Sequence, residues 1–243
     1  MRILVTNDDG IRAEGIRLLA SFAKTIGETI VVAPKEEKSA CSQSITLRRP
    51  FAFEKSDLFD DLGIESYSVD STPTDCVRIA ANKLVPFDYV FSGINNGYNT
   101  GHFTSYSGTC AAIFEANYVG IKSFGFSTDV GLMKEAAKEL PRVWKFITKH
   151  RLTDFGDIYN INIPPRFESF RITRQQGPFC HDVFVDHGEN RYQAKLFTAD
   201  WEKQDKNPEF DMDAFFAGYC SITPMKTNRT DEKAYEALKD LRN

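Results

Sequence analysis

Residues 1–10 read Met1-Arg2-Ile3-Leu4-Val5-Thr6-Asn7-Asp8-Asp9-Gly10. Ile3, Leu4 and Val5 form a short, wholly apolar run, the pattern of a strand buried on both faces. The run ends abruptly in four polar residues and a glycine. Two of the four are adjacent carboxylates, which repel each other and are costly to desolvate at the end of a buried strand. Two readings fit the turn. It caps the following helix, or it holds a hard divalent cation such as Mg²⁺ or Mn²⁺, which takes oxygen ligands.

Working outward, Ile11, Gly15, Leu18, Leu19, Phe22, Ala23 and Ile26 recur at three- and four-residue steps, a helical period. Residues 29–33 are a second buried strand, stopped by Pro34. The three segments make a β-α-β unit, whose strands run parallel with a right-handed crossover. The alternation continues with a strand at 67–69 and a helix opened by Thr72 and Pro73, with Asp75 at the acidic position of a capping box. A strand at 87–91 ends in a polar turn at 92–99. A small-residue helix starts after Ser107, followed by a strand at 121–127, an amphipathic helix at 132–149 and a strand at 159–163. This predicts an α/β fold with a doubly wound, mostly parallel sheet over residues 1–165.

Residues 166–243 have a different texture. Period-two segments at 171–173, 183–185 and 192–197 read as antiparallel hairpins. A short helix at 211–217 and a strand at 219–223 follow. Residues 230–241 form a helix whose apolar stripe, Ala234, Leu238 and Leu241, is too narrow to hold it alone, so it is expected to dock on a partner subunit. The two parts are expected to make one structural domain.

Bulk composition narrows the function. The 243 residues are 42% hydrophobic and 26% charged, with a formal net charge of −4. That balance argues against binding long nucleic acids, which needs a basic face. No apolar run approaches the roughly 20 residues of a membrane span, and the chain opens in a strand with no signal-peptide pattern. The five cysteines are scattered, with no Cys-x-x-Cys pair. A cytoplasmic protein with reduced thiols is expected.

In open α/β sheets ligands sit beyond the carboxyl ends of the strands. Three polar turns lie at such ends: 6–10, 35–44 and 92–99. Asp8, Asp9, Ser39 and Asn95 supply the carboxylates and neutral oxygens a hard cation takes. Each also has a plainer reading, Ser39 as a loop serine and Asn95-Asn96-Gly97 as a left-handed turn. Ser107-Gly108-Thr109 stands at a helix N-terminus, where free amides and the helix dipole favour an anion, or where Ser107 simply caps. No P-loop, Gly-x-Gly-x-x-Gly, His-Glu-x-x-His or Gly-x-Ser-x-Gly pattern occurs. His181 and His187 read as surface residues.

These stretches resemble the motifs of the SurE (survival protein E) nucleotidases. The likeness lies in Thr6-Asn7-Asp8-Asp9-Gly10-Ile11, Val69-Asp70-Ser71-Thr72-Pro73-Thr74-Asp75-Cys76-Val77, Ser92-Gly93-Ile94-Asn95, Tyr106-Ser107-Gly108-Thr109, Asn160-Ile161-Asn162-Ile163-Pro164 and Gly218-Tyr219-Cys220-Ser221-Ile222-Thr223-Pro224. They follow the family's order across almost the whole chain.

The resemblance implies a Rossmann-like core and a metal-dependent phosphatase acting on nucleoside 5′- and 3′-monophosphates. It implies one divalent cation per subunit on Asp8, Asp9, Ser39 and Asn95, and phosphate contacts from Asn96 and Ser107-Gly108-Thr109. It also implies a homodimer or homotetramer with an exchanged C-terminal segment. Asp8 or Asp9 is the candidate catalytic base. Two departures stand out: Ala40, where the family often has glycine, and His102-Phe103 after Gly101, where many members are acidic. Two other readings are a haloacid-dehalogenase-like phosphatase with Asp8 as covalent nucleophile and a non-catalytic nucleotide- or metal-binding regulator. The first is disfavoured because those enzymes use Asp-x-Asp and here the acids are adjacent.

Overall fold

The computed structural model describes residues 1–84, 86–175, 181–197 and 205–241. The chain opens with β1 (Arg2–Thr6), α1 (Glu14–Lys24), β2 (Glu28–Pro34), β3 (Phe53–Ser56), β4 (Glu65–Val69) and α2 (Pro73–Lys83). It continues through β5 (Tyr89–Asn96), α3 (Phe103–Tyr106), α4 (Gly108–Tyr118), β6 (Lys122–Thr128), α5 (Met133–Lys149) and β7 (Ile158–Asn162). The C-terminal part holds β8 (Phe170–Ile172), β9 (His181–Asp186), β10 (Tyr192–Phe197), α6 (Asp211–Phe216), β11 (Cys220–Pro224) and α7 (Glu232–Leu238).

Among the described residues nine strands form one sheet in the order β3-β4-β2-β1-β5-β6-β7-β11-β8. The strands from β4 to β7 pair in parallel. β3 is antiparallel to β4, and β11 is antiparallel to β7. The fold is therefore the expected α/β architecture, a mostly parallel sheet covered by helices, with β9 and β10 as a separate antiparallel hairpin.

The apolar run of β1 is buried on both faces because successive side chains point to opposite sides. Ile3 and Val5 pack in the core under α1 and α5, with Ile16, Leu19, Leu140, Val143 and Ile147. Leu4 packs in the core under α2 and α4, with Val77, Ala80, Ala112 and Ala116. The α1/α5 side is aromatic. Phe91 meets Phe124 at 5.8 Å and Trp144 at 5.4 Å, both edge-on, the geometry ring quadrupoles favour. Truncating such a ring to alanine costs about 3–5 kcal/mol, so this layer fixes the sheet that carries the site.

Two expectations need correction, and one strand goes unannounced in the sequence. The polar stretch 92–99 is not a turn from its start: β5 continues to Asn96 and pairs with β6 there, after a register shift between Ser92 and Asn95. Residues 53–56 form an edge strand that has no apolar run to announce it; two of the four, Glu54 and Lys55, are exposed. Residues 171–173 do not belong to a hairpin; β8 pairs in parallel with β11 at the far edge of the main sheet.

Chain order reverses direction at β1. From it the sheet grows to one side through β2 and β4, and to the other through β5, β6 and β7. The crevice beyond the carboxyl ends of β1 and β5 is the switch point at which open α/β sheets bind ligands. Asp8-Asp9 follow β1 and Asn95-Asn96 end β5, so both motifs lie at that crevice.

Candidate active site

Asp8 is 5% exposed. Its Oδ1 accepts a hydrogen bond from Thr109 Oγ1 at 2.6 Å, and the Gly108 and Thr109 amides also bond its carboxylate. The first turn of α4 therefore faces Asp8, where the amides and the helix dipole favour negative charge. Ser107 caps this helix: its Oγ accepts from Cys110 N at 3.1 Å. The approach is so close that a Cβ on Gly108 would lie 2.6 Å from Asp8 Cβ.

Asp9 is less buried. Its Oδ2 accepts from the Asn96 amide at 3.3 Å, which ties the β1 turn to the end of β5. Asn95 Nδ2 donates to Gly97 O at 2.7 Å, leaving the side-chain oxygen of Asn95 as the atom available to a ligand. Asn96 has the opposite arrangement. Its Oδ1 accepts from Gly131 N at 2.8 Å, so its amide nitrogen is the free donor.

The loop after β2 joins from the other side. Lys38 N donates to Asp8 O at 2.7 Å. Ser39 is exposed, and its hydroxyl donates to Glu37 Oε1 at 2.6 Å. Gly10, at φ +94°, makes room for this loop, since an added Cβ would stand 3.3 Å from Glu36 C and Glu37 N. The structure thus brings Asp8, Asp9, Asn95, Asn96, Ser107, Gly108 and Thr109 to one crevice. Ser39 sits on a loop bonded to the same turn, with its hydroxyl directed to Glu37.

The electrostatics follow from burial. Desolvation raises Asp8 above its ordinary value of 3.8, against the lowering effect of the Thr109 hydroxyl and the neighbouring amides. Asp9 is pushed up to about 6, first by burial and then by the charge of Asp8, with Glu37 adding to it. Two crowded carboxylates at a neutral-oxygen rim suit a cation. Among the described residues no cluster of three or more His, Cys, Asp or Glu side chains is placed to hold a metal. Any cation here rests on carboxylates, amide and hydroxyl oxygens, a set that fits a hard ion and not a thiophilic one.

Residue reading missed some participants. Asp75 lies where a capping-box acid would, and its own amide does donate to Thr72 Oγ1. Its carboxylate, however, accepts from Thr46 N at 2.7 Å, Ser71 Oγ at 2.6 Å and Arg78 at 2.8 Å. It anchors the loop that carries Ser39. Glu37 was also missed; the only signal was a pair of acids ahead of Ser39. Asn99, Asn160 and Asn162 form a buried amide cluster beneath the crevice. His187 is an exposed hairpin residue bonded to Gln193, while Cys180 lies outside the described residues.

The sequence matches the family described as Survival protein SurE over residues 3–181. The chain belongs to the SurE family. A 5′-nucleotidase SurE of Vibrio vulnificus is 35% identical over 249 residues, covering 98% of this chain and 94% of that one. A 5′/3′-nucleotidase SurE of Proteus mirabilis is 36% identical over 256 residues, covering 100% and 96%. The crystal structure of the SurE protein from Aquifex aeolicus superposes with a TM-score of 0.80 at 28% identity, covering 98% of both chains. In this SurE chain Ala40 has φ +54°, a left-handed conformation that glycine adopts without penalty. The alanine at position 40 therefore sits in a conformation that glycine would take more readily.

Proposed function

We propose that this chain is a divalent-cation-dependent phosphomonoesterase that hydrolyses nucleoside 5′- and 3′-monophosphates to nucleoside and phosphate. The observation that carries this reading is the meeting of the buried Asp8 carboxylate with the first turn of α4, at the switch point of the sheet. The full-length relatives called 5′-nucleotidase support the substrate class.

In this reading Asp8, Asp9, Asn95 and Ser39 hold one Mg²⁺ or Mn²⁺ per subunit. The bound ion supplies Lewis-acid polarisation of the phosphoryl group and relief of the repulsion between the two carboxylates. The chain supplies the rest. Asn96 offers a free side-chain N–H, held in place by its bond to Gly131 N. The N-terminus of α4 at Ser107, Gly108 and Thr109 lies toward the crevice, and its dipole favours the negative charge of the phosphoryl group although the Gly108 and Thr109 amides also bond Asp8. Asp9, less enclosed than Asp8 and next to Asn96, is the better placed of the two to take a proton from an attacking water.

Burial of Asp8 disfavours the covalent-nucleophile alternative. One oxygen of its carboxylate is committed to the Thr109 hydroxyl in a rigid, buried turn, which suits a fixed cation ligand better than a nucleophile that must move onto phosphorus. The regulatory reading is separated by a direct assay. AMP and GMP are incubated with Mg²⁺ or Mn²⁺, with and without EDTA, and phosphate is measured. Turnover is expected with the cation, lost with EDTA, and lost in Asp8→Asn at unchanged fold by circular dichroism. Absence of phosphate release with every divalent tried defeats the enzyme reading. We further infer a cytoplasmic homodimer or homotetramer; no helix among the described residues is long and apolar enough to cross a membrane.

A further inference from the structure

The ten residues 97–106 join Asn96 to Ser107, and so connect the two halves of the proposed phosphate site. Two of these residues are gripped from outside through both backbone polar groups. Asn99 N–H donates to Asn162 Oδ1 at 2.8 Å, and its carbonyl accepts from Asn160 Nδ2 at 2.6 Å and Asn162 Nδ2 at 3.1 Å. Two residues on, Gly101 N–H donates to Asp211 Oδ2 at 3.0 Å, and its carbonyl accepts from Gln175 Nε2 at 2.7 Å. Gln175 Nε2 also donates to Thr104 Oγ1 at 2.7 Å.

Asp211 is the first residue of α6 and is wholly buried. Its second oxygen accepts from Met212 N at 2.8 Å, and its own amide donates to Arg174 O, next to Gln175. A buried carboxylate is tolerable only where donors meet its oxygens. The Gly101 peptide therefore has one low-energy position, set by a segment that lies outside the crevice. The lower grip continues to α4 itself, where the Cys110 thiol donates to Asn160 Oδ1 at 3.8 Å.

We propose that Asp211 is a positioning residue for phosphate binding: through Gly101 and the strap 97–106 it sets the spacing between Asn96 and Ser107-Gly108-Thr109. Gln175 assists by holding the next peptide group, through the Gly101 carbonyl. The proposal rests on the phosphomonoesterase reading of the crevice. Asp211 is not one of the proposed cation ligands, so its effect on phosphate separates from theirs on the ion.

The test is Asp211→Asn, which keeps the shape but replaces one acceptor oxygen with an NH₂ that cannot accept from an N–H. Affinity for Mn²⁺, and then for inorganic phosphate on the Mn²⁺-loaded protein, is measured by titration calorimetry beside kcat and KM for AMP. A displaced second-sphere contact typically costs about 10–100-fold. Phosphate affinity and kcat/KM are expected to fall by about that factor, while Mn²⁺ affinity stays within about twofold of wild type. Gln175→Ala is expected to shift the same quantities in the same direction, less strongly, and carries the test if Asp211→Asn does not fold. Phosphate affinity within about twofold of wild type, with only a lowered Tm, overturns the proposal. Lack of AMP turnover by the wild type defeats the phosphomonoesterase reading alone, since the phosphate titration still decides the role of Asp211.

Discussion

At Gly108 the helix that faces Asp8 comes as close as a backbone can. An alanine there would put its Cβ 2.6 Å from Asp8 Cβ and 3.0 Å from Asp8 Oδ2, and neither partner has room to yield, since Asp8 is 5% exposed. Overpacking of this kind costs about 1–3 kcal/mol, and a misplacement of about 1 Å at a reacting centre costs about 100-fold in rate. Gly108→Ala is expected to fold, with a lowered Tm and phosphate release from AMP reduced by about that factor. Near-normal turnover in this variant would mean that the Asp8–α4 contact does not matter to the chemistry. Asp9 gives a second prediction, for the cation-free protein. Its carboxyl holds its proton up to pH about 6 when folded, against an ordinary value of 3.8. Folding thus takes up a proton between those values, so the cation-free protein loses stability as pH rises through the window, with the full penalty present above about 6. A bound divalent ion removes the penalty. The gain in Tm on adding Mg²⁺ or Mn²⁺ is therefore expected to be small near pH 4.5 and to grow to a few degrees by about pH 7. Equal gains at both values in differential scanning fluorimetry count against Asp9 as a ligand.

Among the elements, the loop between β2 and β3 departs furthest from regular structure and carries Ser39. It is tied down at Asp8 by Lys38 and at Asp75 by Thr46. Between those ties Ala40 and Ser42 both have positive φ, +54° and +51°. An L-residue held left-handed costs roughly 1 kcal/mol or more, and glycine is free of that penalty but loses more entropy on folding. Ala40→Gly is expected to raise stability by about 0.5–1 kcal/mol in urea titration, with the metal-dependent activity retained; a loss of stability would mean the loop does not take this backbone. The elements also show what was legible. β1, β2, α1 and the switch from β to α at Thr72 were readable because apolar period and cap residues are local signals. β5 was cut short because Ser92, Gly93, Asn95 and Asn96 look like turn residues. In fact the strand continues along β6, and its polar end borders the crevice. β3 was missed because an edge strand needs no apolar face. Asp75 was read as a local cap because its partners Thr46 and Ser71 come from pairings no local pattern reveals.

The whole molecule divides unevenly between a deeply packed sheet and a C-terminal part with little cover of its own. Every residue of α7 is exposed in the single chain, with Tyr235 at 54% and Leu238 at 56%, and Leu241 just beyond the helix at 72%. The β9–β10 hairpin exposes Phe184 and Tyr192 in the same way. A helix of seven residues is marginal in water unless its apolar side is covered, and an isolated hairpin fares no better. Exposed apolar side chains gathered on such elements fit the proposal that a second subunit covers this surface. The narrow stripe of Ala234, Leu238 and Leu241 is visible in the sequence, but a receiving surface is not, because a docking face on another subunit leaves no local pattern in the chain. Deleting residues 228–243 removes α7 and leaves β11 and the crevice in place. The truncated protein is expected to fold, to keep its cation-dependent turnover of AMP, and to show a smaller mass in multi-angle light scattering, one step down from tetramer to dimer or dimer to monomer. An unchanged mass would place the subunit contact elsewhere, the β9–β10 hairpin being one exposed apolar element to test next. Lost turnover together with the smaller mass would mean that assembly itself shapes the crevice.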